Sequence, residues 1–128
     1  MARASTFLNV RDLDRSLSFY QGLGFSVTHT SHDKETKAAT YADLTLDGAD
    51  LSLGHIAANP DPDFQNWVAG ELGTGVVLYF EVDDVDAIHA RAQAIDAVVE
   101  SGPVDRPYGR FLLLNDPDGY SVAFLKSP

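Results

Sequence analysis

The chain has 128 residues, 45% hydrophobic and 22% charged, with a formal net charge of −10 and no cysteine. Such a length and apolar content suit one compact domain, and no run of about 18 apolar residues offers a membrane span. The missing cysteines exclude disulfides, thiolate nucleophiles and cysteine-ligated zinc or iron–sulfur sites, while the acidic balance repels phosphate backbones and draws cations.

The N-terminus, MARASTFLNVRDLDRS, breaks into charge too early for a secretory signal, so a cytoplasmic location is expected. A first strand ends at Val10. Asp12 is placed to cap a helix by accepting N–H bonds from its first turn, and Asp14 adds charge at the positive helix end. Leu13, Leu17 and Tyr20 follow at helical spacing, and Gly22 and Gly24 end the helix. Strands are expected near 24–30, 38–46 and 50–55, with Asp47-Gly48 turning the last two into a hairpin.

Residues 57–75, AANPDPDFQNWVAGELGTG, are rich in Pro, Gly and Asp. They read as a linker with a short helix around Phe64–Ala69. Phe64 and Trp67 would make it either a lid or an aromatic anchor.

VRDLD, at 10–14, then returns as VDDVD, at 82–86. The offset of 72 (82 − 10) also pairs Leu8 with Phe80, Leu23 with Ile95 and Val27 with Val99. A second strand thus ends at Val82, and Asp84 caps a helix carrying Val85, Ile88, Ala92 and Ile95 that stops near Asp96. Strands follow near 97–101, 109–115 and 119–126, with turn chemistry in Asp116-Pro117-Asp118-Gly119. Each half is βαβββ. The fold class is α+β, with module one at 1–56, the linker at 57–75 and module two at 76–128.

A doubled βαβββ unit, with VRDLDRSLSFYQGLGF early and DPDGYSVAFL late, resembles the vicinal-oxygen-chelate superfamily from about Phe7 to Leu125. That superfamily holds glyoxalase I, extradiol dioxygenases, methylmalonyl-CoA epimerase and the metal-free bleomycin resistance proteins. The resemblance implies a curved mixed sheet around a cleft. It also implies, in metal-using members, four His or Glu ligands on the first and last strands of the modules. Counting from V-x-D and DPDG carries those positions onto Ser5, Ser52, Val77 and Ala123. None is His, Asp or Glu, so no metal and no other cofactor is expected. The histidines do not rebuild the set: His29 and His32 are three apart in a strand, His55 leaves the Ser52 face, and His89 is helical.

If Ser5 and Val77 face the cleft, strand alternation brings Phe7, Asn9, Tyr79 and Glu81 with them. On the last strand Ser121 and Leu125 share the face of Ala123. The expected lining is then Phe7, Asn9, Ser52, Tyr79, Glu81, Ser121 and Ala123, with Glu81 as its charge. PYGRFLLLNDPDG, at 107–119, is similar to the PWGR-type segment of bleomycin resistance proteins, which makes Tyr108 a groove residue. Arg110 pairs with an acid or reaches the ligand, and Trp67 is a further aromatic wall.

The resemblance points to a metal-independent binder that sequesters a planar or cationic organic molecule, with no catalytic residue. A metal-dependent lyase or dioxygenase with ligands outside this register is the alternative, and a sensor of an ordinary metabolite is a third reading. A homodimer is expected, and neither nucleic acid nor membrane is an expected partner.

Overall fold

The computed structural model describes residues 1–128. In chain order it runs β1 (Phe7–Val10), α1 (Leu13–Gly22), β2 (Ser26–His32), β3 (Ala39–Leu46) and β4 (Ala49–His55). A short 3-10 segment (Ile56–Ala58) and α2 (Pro62–Trp67) lead to β5 (Val77–Glu81), α3 (Val85–Ala94), β6 (Val98–Arg106), β7 (Gly109–Asn115) and β8 (Ser121–Lys126). Two four-stranded sheets form, ordered β1-β4-β3-β2 and β5-β8-β7-β6. β1 with β4 and β5 with β8 are parallel, and the other pairs are antiparallel. This is the expected α+β pair of βαβββ modules. The helices repeat at the offset of 72 at both ends (85 − 13 and 94 − 22).

Local chemistry accounts for the elements. Asp12 accepts a hydrogen bond from the Arg15 N–H at 3.1 Å, and Asp84 accepts one from Ala87 at 3.0 Å, as N-caps do. Leu13, Phe19 and Tyr20 of α1 and Val85, Ile88 and Ala92 of α3 are buried. Asp47 and Gly48 both take positive φ, 49° and 87°, the backbone of a type I′ turn that matches the twist of β3 and β4. The first helix ends at Gly22, with Gly24 at a φ of 112° just beyond it, as the sequence suggests, and Gly22 has a second role. The Ile95 side chain occupies the space a Cβ there would need.

Several boundaries move by about two residues or more, two of them for a clear physical reason. β6 runs to Arg106, through Gly102-Pro103, where the sequence suggests an end at 101. Proline interrupts a central ladder, but β6 is an edge strand with register shifts between Val99 and Val104, which is where proline is tolerated. The linker helix begins earlier than expected, at Pro62, because Asp61 caps it and proline suits the first helical turn.

The modules join through their helical sides, not through a strand ladder, so the two sheets are separate within one chain. One core cluster spans both, and Phe25 packs edge-on against Phe80 with ring centroids 5.2 Å apart. Five hydrogen bonds stitch this seam, one of them from the Ser16 hydroxyl to Asp118 Oδ2 (3.4 Å). The Tyr20 hydroxyl donates to Asp116 Oδ2 (2.8 Å), and the Tyr120 hydroxyl to the Asn9 carbonyl (2.8 Å). The Arg11 N–H donates to Asp118 Oδ1 (3.1 Å), and Arg91 Nη1 to the Leu23 carbonyl (3.2 Å). With helices inside the seam, the opposite face of each sheet is left open.

Candidate functional site

Strand alternation sorts sheet one cleanly. Leu8, Val10, Ala42, Leu44, Leu51 and Leu53 are buried toward the helices. Phe7, Tyr41, Asp43, Ser52 and Gly54 share the open face, because the register sets Phe7 beside Ser52, Ser52 beside Asp43 and Gly54 beside Tyr41. The rings of Phe7 and Tyr41 stack at 5.8 Å and 25°. Gly54 makes this possible: a Cβ there would run into the Phe7 ring. Ser52 Oγ donates to Asp43 Oδ1 at 2.7 Å, and the Tyr41 hydroxyl donates to the same oxygen. A cavity of about 400 Å³ opens here, with Ser5, Thr28, Tyr41, Asp43, Asp50 and Ser52 in its wall.

These hydrogen bonds control charge. The Tyr41 donor, then Ser52, then the nearby His29 hold the Asp43 carboxyl below the usual carboxylate range. The same bond to Asp43 pushes the Tyr41 phenol up, so the proton stays on the phenol and the charge on the carboxylate.

Sheet two presents a more apolar face. Val77 pairs with Ser121, Tyr79 with Ala123 and Glu81 with Leu125, and across β8 lie Asn115, Leu113 and Phe111. Tyr79 and Tyr108 both lie against Phe111, at 6.1 and 6.2 Å. Tyr79 is 57% exposed and Tyr108 52% exposed, so their rings stand open.

The expected site residues fall into distinct places. Phe7, Asn9 and Ser52 belong to sheet one, and Asn9 is also fastened through its carbonyl to Tyr120. Tyr79, Glu81, Tyr108 and Ala123 belong to sheet two or its turn. Ala123 is fully buried between Tyr79 and Leu113, so its methyl lies beneath the lining and does not form it. Glu81 is exposed at the end of β5 and accepts a hydrogen bond from Ser127 Oγ at 3.2 Å.

Arg110 points the other way. It shares the helix-facing row of Leu112 and Leu114, and its guanidinium meets Asp86 through two hydrogen bonds (2.8 and 2.9 Å) and Asp105 through one (3.0 Å). Those bonds raise the guanidinium further and hold the Asp86 carboxyl low. It is an ion-pair residue and not a lining residue. Trp67 is 73% exposed and touches Phe64, so it anchors nothing; the buried linker residue is Val68.

Sequence reasoning missed Tyr41, Asp43, Phe111 and Leu113. Alternation in ATYADLTL already separates Tyr41 and Asp43 from Ala42 and Leu44. Which of them meets Ser52 depends on the β3–β4 register. In FLLLN the run of leucines conceals the period altogether.

The residues do not fit a divalent metal. At the four positions that the resemblance assigns to ligands stand two hydroxyls and two hydrocarbon side chains, with Ser52 in sheet one, Val77 and Ala123 in sheet two, and Ser5 ahead of β1 and outside either sheet. No three His, Asp or Glu side chains gather elsewhere.

A duplicated βαβββ unit with helices packed in the seam and both sheets open defines the class of this molecule. The chain belongs to the glyoxalase/bleomycin resistance protein/dioxygenase superfamily, whose model matches residues 3–124. It is 32% identical to a protein of Haemophilus influenzae named lactoylglutathione lyase, over 95% of this chain and 90% of that one. Among solved structures it is similar to TnmS3, an antibiotic binding protein from Streptomyces sp. CB03234 (TM-score 0.67, 24% identity, covering 99% and 98% of the two chains). It is also similar to a bleomycin-binding protein in complex with bleomycin (TM-score 0.65, 17% identity, all of both chains). At those identities the two structures speak for the fold.

Proposed function

We propose that the protein binds a planar organic cation without a metal and without transforming it, as a sequestering protein of the antibiotic-resistance type. The observation that carries this reading is the site's composition: open aromatic rings on both sheets, a carboxylate beside the Phe7–Tyr41 pair of sheet one, and no donor set for a divalent ion. Aromatic faces attract cations through their quadrupole, and the net charge of −10 adds a long-range pull. The antibiotic binding protein TnmS3 and the bleomycin-binding protein, which share this fold, support the same use of it. The protein would act in the cytoplasm as a homodimer, in which the open face of each sheet is covered by the partner and the ligand lies between.

A suitable test is titration of metal-free protein with 9-aminoacridine, a planar cation at neutral pH, followed by fluorescence. Binding is expected, and loss of one ring in Tyr79→Ala or Tyr108→Ala should weaken it about threefold to thirtyfold. Unchanged affinity in both variants would remove the aromatic-wall reading.

The relative named lactoylglutathione lyase favours a second reading, a lyase whose metal donors lie outside the expected register. One tightly held divalent ion per chain in protein purified without chelators, together with formation of lactoylglutathione, would establish it in place of the first.

A further inference from the structure

We infer that Asp43 is the group that recognises the ligand's positive charge, and that the ligand class is a planar cation carrying its protonated nitrogen at the ring edge. This rests on the binding function proposed above and names the residue that sets its selectivity. Glu81, the carboxylate that the sequence singles out, lies at an exposed strand end with a serine hydroxyl on it.

The geometry of Asp43 differs from that of Glu81 in three ways. First, both of its side-chain hydrogen bonds, from Tyr41 and Ser52, converge on Oδ1. The second oxygen, Oδ2, has no donor within the chain and is left for one from outside. Second, the two donors fix the carboxylate plane, so little side-chain freedom is lost when a ligand binds. Third, the same Tyr41 that holds Asp43 also stacks on Phe7, which is 52% exposed. A flat ring laid on that pair would bring its edge toward the carboxylate. A charged N–H meeting a carboxylate is stronger than a neutral hydrogen bond.

The surroundings agree in sign. The cavity wall contributes hydroxyls from Ser5, Thr28 and Ser52 and a second carboxylate, Asp50, and no lysine or arginine. An anionic ligand would meet two carboxylates there with no counter-charge in the wall. A neutral flat ring would gain the stacking alone. Selectivity for a cation over its neutral isostere is therefore the property that Asp43 confers, while Phe7 and Tyr41 share affinity for the ring with the open rings of sheet two.

The experiment compares 9-aminoacridine with acridine, its neutral isostere at pH 7.5, on the full chain. The parent should prefer the cation by about tenfold. Asp43→Asn should bring that preference close to one while acridine affinity stays within about twofold, since the amide keeps the shape and the ring wall. Glu81→Gln should keep the preference, and Asp50→Asn should lower it much less than Asp43→Asn does. A preference that survives Asp43→Asn, or that disappears instead with Asp50→Asn or Glu81→Gln, overturns the assignment while leaving the binding function standing. A parent that binds both probes equally overturns it as well. A parent that binds neither overturns both readings. Circular dichroism and the thermal midpoint of each variant separate loss of fold from loss of selectivity, and Ser52→Ala, which removes one of the two donors to Oδ1 and keeps the charge and the Tyr41 bond, should retain most of the preference.

Discussion

Asp116 is the most heavily committed carboxylate of the chain. Its Oδ1 accepts the N–H groups of Asp118 and Tyr120, both at 2.9 Å, and its Oδ2 takes the Tyr20 hydroxyl. Burial dominates nonetheless and raises its pKa, and burial beside this carboxylate raises the Tyr20 phenol as well. For an acid whose folded value lies above its unfolded one, the ionised form is the disfavoured form in the fold. Its stabilising contribution is complete below the ordinary carboxylate value and fades as pH rises through the raised folded value. Comparing the parent with Asp116→Asn isolates this group, because the other carboxylates are common to both. The difference in thermal midpoint should shift in the parent's favour as pH falls from 7 to about 4. A difference independent of pH would mean that Asp116 titrates normally. Tyr20→Phe should cost about 1–2 kcal/mol at neutral pH, since it leaves a buried acceptor with one partner fewer.

At the level of elements, the two aspartate caps offer a matched pair of tests. Asp12 and Asp84 have the same extended backbone and each accepts the N–H three residues on. Asp12→Ala and Asp84→Ala should each destabilise by about 1 kcal/mol, and the corresponding serine substitutions by much less. On a domain of this size that is a loss of roughly 3–6 °C in thermal midpoint for each alanine variant. Equal effects would show that the duplicated unit is duplicated in energy as well as in shape. The caps were legible because capping is local: one side chain, one turn, fixed spacing. Edge position was not, because whether a strand such as β6 tolerates Pro103 depends on what lies beside it. That neighbour, β7, closes only one side of β6.

For the whole molecule, the consequence of packing two modules helix-to-helix is that both ring-bearing faces remain uncovered in a single chain. Phe7, Val77, Tyr79 and Tyr108 are all well exposed. Open apolar faces of this kind are commonly covered by association. A chain of 13.9 kDa should therefore scatter light as a particle of about twice that mass at micromolar concentration. A value near a single chain would mean that each open face works alone, and ligand stoichiometry of one face per chain would then be the next quantity to measure.

Short-range chemistry is what the amino-acid order determined by itself. The 72-residue repeat, both helix caps, the Asp47-Gly48 turn and the burial of alternate strand residues all depend on neighbours within a few positions, and the fold class follows from them. The absence of His, Asp and Glu at Ser5, Ser52, Val77 and Ala123 was likewise legible, since it is a matter of identity at counted positions. What only the tertiary structure decided is which side chains meet. Asp43 reaches Ser52 through the β3–β4 register, Phe7 lies on Tyr41 because Gly54 has no Cβ, and Arg110 turns away because Asp86 waits on α3. Those contacts join residues from separate strands and helices, and pairing register and helix placement are set by the packing of the whole core, which no local window of sequence contains.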